Sequence, residues 1–427
     1  MNIPAPLLVV ITLLQAAGAQ VLVMGGAVVD WLLGRQPQDW DVEVHGVPVQ
    51  DVQHVLANYD PKLVGGSHEA LRFIADGVAI DITVPNCDAK EAARRRDLTI
   101  NSLYFDVERS LLVDGFDGEK DLRAGVLRHT SETFAKYPVN VLRVAQFLSR
   151  GKGHTVADET LSLACQLTPE NLPAEQVYNQ LTKLLLGSHP ELGLAFLAKV
   201  GWLRFWPELD ALTRTEENPD WHPEGNAWDH TMAVVHNAAI IREQLPEEWR
   251  LAFMYATLLH DTGKPAVAIG DLSYKGHDMA GGPLAEAFML RIRAAKDLVE
   301  KVKAIVENHM QPGGLQRGEA RVPAWKRLHN KCRLDVLGWH SRCDWAANPS
   351  RTVLDECHAP SQLAFTYFKE FGVGKVPPKL QGRDILAAGI KPGPQIGKAL
   401  AAAYDAQLEN PDLTNEQLVE IALRAVK

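Results

Sequence analysis

Gly25-Gly26-Ala27-Val28-Val29-Asp30 is the stretch that decides the fold of this chain. It follows a short apolar run, Val21–Met24, that is long enough for a buried strand, and it leads into a helical pattern that continues to Leu33. A strand, a glycine turn and a helix N-terminus are therefore predicted in that order. Backbone N–H groups at such a turn point outward, and the helix dipole adds partial positive charge, so a triphosphate can lie against them.

A pair of aspartates follows this turn. Asp39 and Asp41 lie two residues apart, so on a strand both carboxylates project from one face while Trp40 faces the other. A third acid, Asp81, lies in an alternating segment and is expected to complete a metal site with them. Carboxylates grouped in this way suit Mg²⁺, which assists nucleotidyl transfer by neutralising charge on phosphates. For an isolated Asp-x-Asp pair, the alternative is a surface strand that carries acidic residues.

A basic cluster, Arg94–Arg96, stands just before Asp97 and Asn101. Arginines can bind phosphate through two parallel hydrogen bonds, and Asp97 and Asn101 can hydrogen-bond a ribose. Taken alone, the cluster is also compatible with a solvated charge run that caps a helix.

Taken together, these segments resemble the head of class II tRNA nucleotidyltransferases, the family of CCA-adding enzymes and bacterial poly(A) polymerases. The family motif Gly-Gly-x-Val-Arg-Asp with a downstream Asp-x-Asp is matched at Gly25, Gly26, Val28, Asp30, Asp39 and Asp41. The family motif Arg-Arg-Asp-x-Thr-x-Asn is matched by Arg95–Asn101. The resemblance implies that Asp39 and Asp41 bind Mg²⁺ and that the Gly25–Gly26 turn and Arg96 contact the incoming nucleotide.

The chain departs from the family in two places. Val29 stands where the family has an arginine that contacts the nucleotide. The family's base-reading motif, Glu-Asp-x-x-Arg followed by x-x-Arg, aligns with a stretch in which only Arg143 is retained. Tyr137 and Asn140 still offer hydrogen bonds to a base, but a charged contact is stronger than a neutral one by about a factor of two. Nucleotidyl transfer is therefore predicted, and two choices stay open: CTP and ATP, or another nucleotide or acceptor.

The central third of the chain carries an ordered set of histidines and aspartates: His230, His260, Asp261, His277, His309 and Asp344. This order resembles the HD phosphohydrolase superfamily, in which a divalent metal such as Ni²⁺, Mn²⁺ or Mg²⁺ activates a water that attacks a phosphoester. All six residues are expected to be metal ligands, with His260 and Asp261 at the catalytic core. The resemblance to CCA-adding enzymes that carry an HD domain implies phosphatase, 2′-nucleotidase and 2′,3′-cyclic phosphodiesterase activities.

Other residues near this set receive simpler interpretations. Lys264, close after His260, is expected to pair with a substrate phosphate. His222, His236 and His329 fall outside the ordered set and are expected to have structural roles.

The predicted fold class is an α/β head, a small mixed sheet with helices, followed by all-α segments. The head covers residues 1–135, a helical neck 136–205, an HD body 206–350 and a helical tail 351–427. Leu7–Leu14 is an apolar octet that no lysine or arginine precedes, so we expect a helix packed on the head rather than a signal sequence, and no membrane span.

Composition restricts the class of protein further. The chain has 427 residues, 46% of them hydrophobic, which is enough for several domains with their own cores. A net charge of −9 argues against a broad, non-specific nucleic-acid binder, because binding to phosphates requires clustered cations. Five cysteines without Cys-x-x-Cys spacing favour a reducing cytoplasm.

The leading hypothesis is template-independent addition of CMP and AMP, from CTP and ATP, to the 3′ end of a tRNA or tRNA-like RNA by a monomer or homodimer. Mg²⁺ is expected in the head and a divalent metal in the HD domain. One alternative is a diverged nucleotidyltransferase of the same fold, since Val29 and Asn140 replace family residues. A second alternative is an RNA-binding head with the HD phosphohydrolase as the only enzyme, and the three aspartates of the head speak against it.

Overall fold

The computed structural model describes residues 1–37, 39–64, 70–268, 270 and 272–426. The chain divides into two compact units. The first unit comprises residues 1–176 and 196–202, and the second comprises 177–195 together with the chain from Leu203 onward. The boundaries predicted near residues 135, 205 and 350 stay predictions.

The described part of the first unit contains a seven-stranded sheet of order β3-β4-β5-β2-β1-β6-β7. Its strands are β1 Gln20–Met24, β2 Asp39–His45, β3 Lys62–Val64, β4 Ala70–Ala75, β5 Val78–Thr83, β6 Tyr104–Asp106 and β7 Leu111–Val113. Strand β2 runs parallel to β5 and antiparallel to β1, and the other pairs are antiparallel. The predicted mixed sheet is confirmed, and its parallel pair β2–β5 joins the two strands that carry the candidate metal ligands.

The first unit also contains helices. Those that begin in the first unit are α1 Ala5–Ala16, α2 Gly26–Leu32, α3 Val49–Val55, α4 Ala89–Arg94, α5 Gly118–Ala124, α6 Val139–Leu148, α7 Asp158–Ala164 and α8 Ala174–Leu185. Helix α1 buries Leu7, Val10, Ile11 and Leu14, a spacing that places all four on one helical face against the sheet core. The octet is therefore a packed helix, as expected. Among the described residues, no helix is both long enough and apolar enough to span a membrane.

One short element departs from the predicted all-α neck. Strands β8 (Val126–Leu127) and β9 (Thr155–Val156) form a parallel pair. Thr155 N donates to Gly125 O at 2.8 Å, so the chain after α6 returns to extend a ladder that begins before that helix. A ladder between such distant segments has no local sequence signal.

The described part of the second unit contains helices and no strands. Its helices are α9 Pro190–Lys199 (which ends in the first unit), α10 Pro207–Leu212, α11 Ala227–Ile241, α12 Glu247–Leu259, α13 Lys264–Val267, α14 His277–Arg291, α15 Lys296–Asn308, α16 Gln311–Arg317, α17 Val322–Lys331, α18 Leu334–Trp345, α19 Ala359–Phe371, α20 Gly382–Ala387, α21 Pro394–Glu409 and α22 Asn415–Arg424. Helix α11 begins at a capping box, in which the Asn226 side chain accepts from the Asp229 backbone and Asp229 accepts from the Asn226 backbone. The last three helices bury a small core of their own.

Candidate active sites

Three carboxylates share one face of the head sheet. In β2, Asp39 and Asp41 are exposed while Trp40 is buried, as the two-residue alternation predicts. Asp81 of β5 lies directly opposite Asp41 in the parallel register. Neighbouring protein atoms remove part of the water around the Asp41 carboxyl, and this desolvation raises its pKa. The charge of Arg96 lowers the pKa, whereas the charges of Asp81 and Asp39 raise it further. Grouped anionic oxygens that repel one another fit a hard divalent cation such as Mg²⁺.

Asp81 is less open than its position suggests. Both of its carboxylate oxygens accept hydrogen bonds from Arg72 of β4, from Nε at 2.7 Å and from Nη2 at 2.6 Å. Arg72 faces Asp81 across the antiparallel β4–β5 pair. These two hydrogen bonds fix the Asp81 carboxylate, so Asp39 and Asp41 are the more accessible acids on this face.

The glycine turn lies against the same carboxylates. Gly25 caps α2 with φ at +61°, a conformation that favours glycine. A Cβ on Gly25 would lie 3.0 Å from Oδ2 of Asp41, so any side chain would also crowd the carboxylate. At Gly26, the next residue, a Cβ would meet nothing within 4 Å. The start of α2 therefore stands beside the acidic face with open space in front of it.

The arginine cluster is paired within the protein. Arg94 lies near Glu91 and Glu132, and Arg95 donates to Glu91. Arg96 binds the buried carboxylate of Glu43, which stands two residues after Asp41 on the same face of β2. Arg96 thus lies at the edge of the acidic face, although its guanidinium already has a carboxylate partner.

Asp97 and Asn101 are buried and bound to each other. Asn101 Nδ2 donates to Asp97 Oδ1 at 2.8 Å, and Arg143 Nε donates to Asp97 Oδ2 at 2.6 Å. The structure therefore joins the motif of the head to Arg143 of α6. Asn140, one turn earlier, is only 7% exposed, and its Nδ2 donates to Phe134 O at 3.2 Å, while Tyr137 is 44% exposed. Asn140, which is expected from the sequence to contact a base, thus donates its side-chain hydrogen bond to the main chain.

The Asp97–Arg143 pair predicts a dependence of stability on pH. Burial raises the pKa of Asp97, but Arg143 and the hydrogen bonds outweigh burial and hold that pKa below its ordinary value of 3.8. A carboxyl with a depressed pKa stabilises the fold above its unfolded pKa, and this stabilisation is lost as pH falls through the folded pKa. We expect Asp97→Asn to lower the free energy of unfolding at neutral pH by about 2 kcal/mol. Below about pH 4, the free energy of unfolding should fall less in this variant than in the wild type.

Urea denaturation across this pH range measures both effects. Asp76→Asn is the matched control, because Asp76 is exposed in the β4–β5 turn and asparagine accepts its positive φ. An Asp97→Asn protein with the pH profile of the wild type would contradict the assignment.

The second unit brings together all six residues of the ordered set. His230 lies on α11, His260 and Asp261 follow α12, His277 starts α14, His309 follows α15 and Asp344 lies on α18. Asp261 is at the centre, with Oδ2 3.0 Å from His260 Nε2 and Oδ1 3.2 Å from His277 Nε2. His277 Nε2 lies 3.1 Å from His309 Nε2, and His230 Nε2 lies 3.1 Å from Asp344 Oδ1.

The main chain orients these imidazoles. The Nδ1 atoms of His260, His277 and His309 lie 2.9, 2.8 and 2.7 Å from the carbonyl oxygen of the residue three positions earlier. Because a carbonyl only accepts, each Nδ1 donates, and each Nε2 is left on the side of the ring that faces the cluster, where it can bind a metal when it is unprotonated. His230 is oriented differently, since its Nδ1 lies 2.6 Å from the Glu224 carboxylate. Such outer partners are typical of metal-binding histidines.

The donor set fits a metal. Two overlapping groups, His230–His260–Asp261 and Asp261–His277–His309, each bring their ligand atoms within 4.8 Å of one another. Within the described residues, the buried His260 Nε2 makes no hydrogen bond although it lies 3.0 Å from Asp261 Oδ2, and a bound cation would satisfy it. Burial and the neighbouring histidines hold the pKa of His309 well below its usual range, which keeps this imidazole neutral and able to bind. Asp261 belongs to both groups.

The structure adds residues that the sequence interpretation missed or placed differently. His222, expected to be structural, lies with Nδ1 3.0 Å from the same Glu224 oxygen that binds His230. His340 is buried with its ring 5.2 Å from that of His260, and it lies one helical turn before Asp344, a four-residue spacing that could have revealed it. Burial and the nearby His260 lower the pKa of His340 to about 3.

Lys264 does not stand free for a phosphate. It is 5% exposed, and its Nζ lies 2.5 Å from Glu217 and 2.8 Å from Asp261. Lys264 is expected from the sequence to pair with a substrate phosphate. In the structure it forms ion pairs with Asp261 and Glu217 instead. Both acids and Lys264 line a cavity of about 660 Å³ that also reaches His277 and Asp344.

Gly263 allows the turn after Asp261 to pack on α14. A Cβ there would lie 2.0 Å from His277 O and 2.5 Å from Gly281 N, both backbone atoms. We expect Gly263→Ala to push His277 away from Asp261, to destabilise the protein by at least about 2 kcal/mol and to weaken metal binding by the HD residues. Urea denaturation and metal titration measure these effects. Gly397→Ala in α21 is the control, since a Cβ there meets nothing within 4 Å. Unchanged stability in Gly263→Ala would contradict the packing described.

Comparisons with known proteins match a domain in each half of the chain. Residues 68–128 match the poly A polymerase head domain and residues 227–335 match the HD domain. The chain is 32% identical over 319 residues to the multifunctional CCA protein of Neisseria gonorrhoeae (strain NCCP11945), covering 68% of this chain and 74% of that protein. It is 33% identical over 359 residues to the multifunctional CCA protein of Aromatoleum aromaticum, covering 77% and 85%.

Solved structures are similar along nearly the whole chain. The Bacillus stearothermophilus CCA-adding enzyme in complex with CTP matches with a TM-score of 0.67 at 20% identity, covering 99% of this chain and 98% of that one. The Thermotoga maritima CCA-adding enzyme complexed with tRNA matches with a TM-score of 0.61 at 20% identity, covering 100% and 97%. At this level of identity, the likeness shows a common fold.

Proposed function

The chain belongs to the multifunctional CCA protein family, and from this premise we propose that it adds CMP and AMP to the 3′ end of tRNA and hydrolyses phosphoesters with its HD domain. The observation that carries the transferase half is the β2–β5 register, which sets Asp81 opposite Asp41 beside the Gly25 turn. Solved CCA-adding enzymes of the same fold contain tRNA, CTP or ATP, and these supply the expected partners. A cytoplasmic location stays a prediction.

In the head, the 3′ hydroxyl of the RNA attacks the α-phosphorus of the nucleotide, a new phosphodiester bond forms and diphosphate leaves. Mg²⁺ held by Asp39 and Asp41 would lower the pKa of that hydroxyl and neutralise charge on the phosphates. The N-terminus of α2 lies beside Asp41, has open space at Gly26 and offers backbone N–H groups to the triphosphate. Arg72 keeps Asp81 directed along the same face.

Incubation of the purified protein with a tRNA that lacks its terminal CCA tests this function. We expect extension with CTP, followed by extension with ATP, and none with GTP or UTP alone. Extension with a different nucleotide would favour the diverged enzyme, for which the specific observations are Val29 and the buried Asn140.

Nucleotide selection is assigned to Arg143. Its Nε is fixed by Asp97, and 36% of its side chain is exposed, so the outer N–H groups of the guanidinium can reach acceptors on a base. We expect Arg143→Lys, which keeps the charge but loses the planar fork, to lower kcat/KM for CTP and ATP by about tenfold or more. Arg123→Lys is the matched control, because Arg123 is exposed on α5 and pairs with Glu119. Equal kcat/KM values for Arg143→Lys and the wild type would refute this role.

In the HD domain, the shared position of Asp261 supports a site for two divalent ions, with His230 and His260 on one side and His277 and His309 on the other. Such ions, Ni²⁺, Mn²⁺ or Mg²⁺ by the expectation from sequence, would supply a deprotonated water for attack on phosphorus. Trp221 is 73% exposed at the rim of the cavity, where its ring can stack on a terminal base of the RNA. A phosphatase and 2′,3′-cyclic phosphodiesterase acting on damaged tRNA ends fits this arrangement.

A further inference from the structure

A second histidine and carboxylate cluster lies away from the HD centre, within the second unit. His189 precedes α9, Glu191 lies in its first turn, and His236 lies on α11. The Nδ1 atoms of the two histidines lie 3.1 and 3.0 Å from the same oxygen, Glu191 Oε1. His236 follows His230 by six residues, about 9 Å along the helix and on a different side of it, so the cluster is separate from the HD ligands.

His189 Nδ1 makes a hydrogen bond with Glu191 Oε1, but two other polar atoms of this cluster are left without one among the described residues. The two imidazole rings lie nearly parallel, 17° apart with centroids separated by 5.8 Å, and both Nδ1 atoms lie close to Glu191 Oε1. Within the described residues, Glu191 Oε2 and His236 Nδ1 are buried and make no hydrogen bond, although His236 Nδ1 is close to Oε1. The same combination of short approach and absent hydrogen bond marks His260 and Asp261 at the HD centre. Buried polar atoms left in this state are costly unless a cation joins them.

The ligand chemistry is that of zinc. Two imidazole nitrogens and one carboxylate oxygen form a common protein set for Zn²⁺, and bonds of about 2.0–2.1 Å in a tetrahedron place neighbouring ligand atoms about 3.3 Å apart. The observed separations of 3.0 and 3.1 Å are close to this value. The side chains are 17 to 34% exposed, so water can reach the fourth position.

We propose that His189, Glu191 and His236 form a second divalent-metal site, of the Zn²⁺ class, independent of the HD centre. The bound ion links the start of α9 to the middle of α11 and so stabilises this part of the second unit. The structural role that the sequence predicts for His236 is then that of a metal ligand.

Metal titration in a background that disables the HD centre tests the proposal. The metal-free Asp261→Asn protein is titrated with Co²⁺, and we expect binding at this cluster to give the visible absorption of four-coordinate cobalt. Adding Glu191→Gln or His236→Gln should remove this absorption, while adding His54→Gln, a change at an exposed histidine, should leave it. The same absorption with and without Glu191→Gln would overturn the proposal.

Crystals of the unmodified chain grown with zinc give a test that does not depend on any variant folding. Anomalous difference density at the zinc edge is expected between His189, Glu191 and His236. Density at the HD residues alone would overturn the second site.

Discussion

Asp41→Asn is expected to lower the rate of nucleotide addition by about 10³-fold, which corresponds to about 4 kcal/mol of transition-state stabilisation. The amide keeps the shape of the side chain but removes the charge that faces both the start of α2 and Asp81. Extension of a truncated tRNA by labelled CTP measures the loss. Hydrolysis of a 2′,3′-cyclic phosphate substrate should be unchanged, because the HD residues form a separate cluster.

Asp76→Asn controls for the general effect of removing a carboxylate from the head sheet. Asp76 lies in the β4–β5 turn, away from the register that pairs Asp41 with Asp81. If Asp41→Asn retained full transfer activity, the head would be better described as an RNA-binding module, with the HD domain as the only enzyme.

Asp261→Asn is expected to reduce hydrolysis of 2′,3′-cyclic phosphate by about 10³-fold and to lower the amount of metal bound by the HD residues. Burial raises the pKa of Asp261, but His260 and Lys264 outweigh burial and hold that pKa well below its ordinary value, so the group is an anion. It is also the residue common to both metal-binding groups. Activity and metal content are measured on the same preparation.

Asp412→Asn is the matched control, since Asp412 is exposed between α21 and α22. Transfer of CMP should survive in both variants. A normal metal content together with normal hydrolysis in Asp261→Asn would refute the assignment of the HD centre.

Local periodicity accounts for the parts of the fold and sites that sequence predicts well. The facing of Asp39 and Asp41 follows from strand alternation, and the burial of one face of α1 follows from helical spacing. The order of histidines and aspartates along the chain also predicts the HD cluster, because most of these residues lie at or near the ends of helices. The family resemblance is confirmed by the relatives and by both domain matches.

Contacts that depend on strand register, chain turns or helix packing could not be predicted in this way. The two hydrogen bonds from Arg72 to Asp81 depend on the β4–β5 register. The hydrogen bond from Asn140 to Phe134 O depends on how the chain turns into α6. The separation of His222 and His236 into two different clusters is likewise a product of helix packing. Residue type and spacing indicate which side chains can bind a metal, whereas tertiary structure decides which of them meet.

Sequencing of the products formed on a tRNA that lacks its last three nucleotides, with all four nucleoside triphosphates present, shows whether the chain completes CCA ends. We expect RNA ends completed to CCA and no further, with no addition to a tRNA that already carries CCA. Products that end in another sequence, or no extension by a protein that retains HD phosphodiesterase activity, would contradict this expectation.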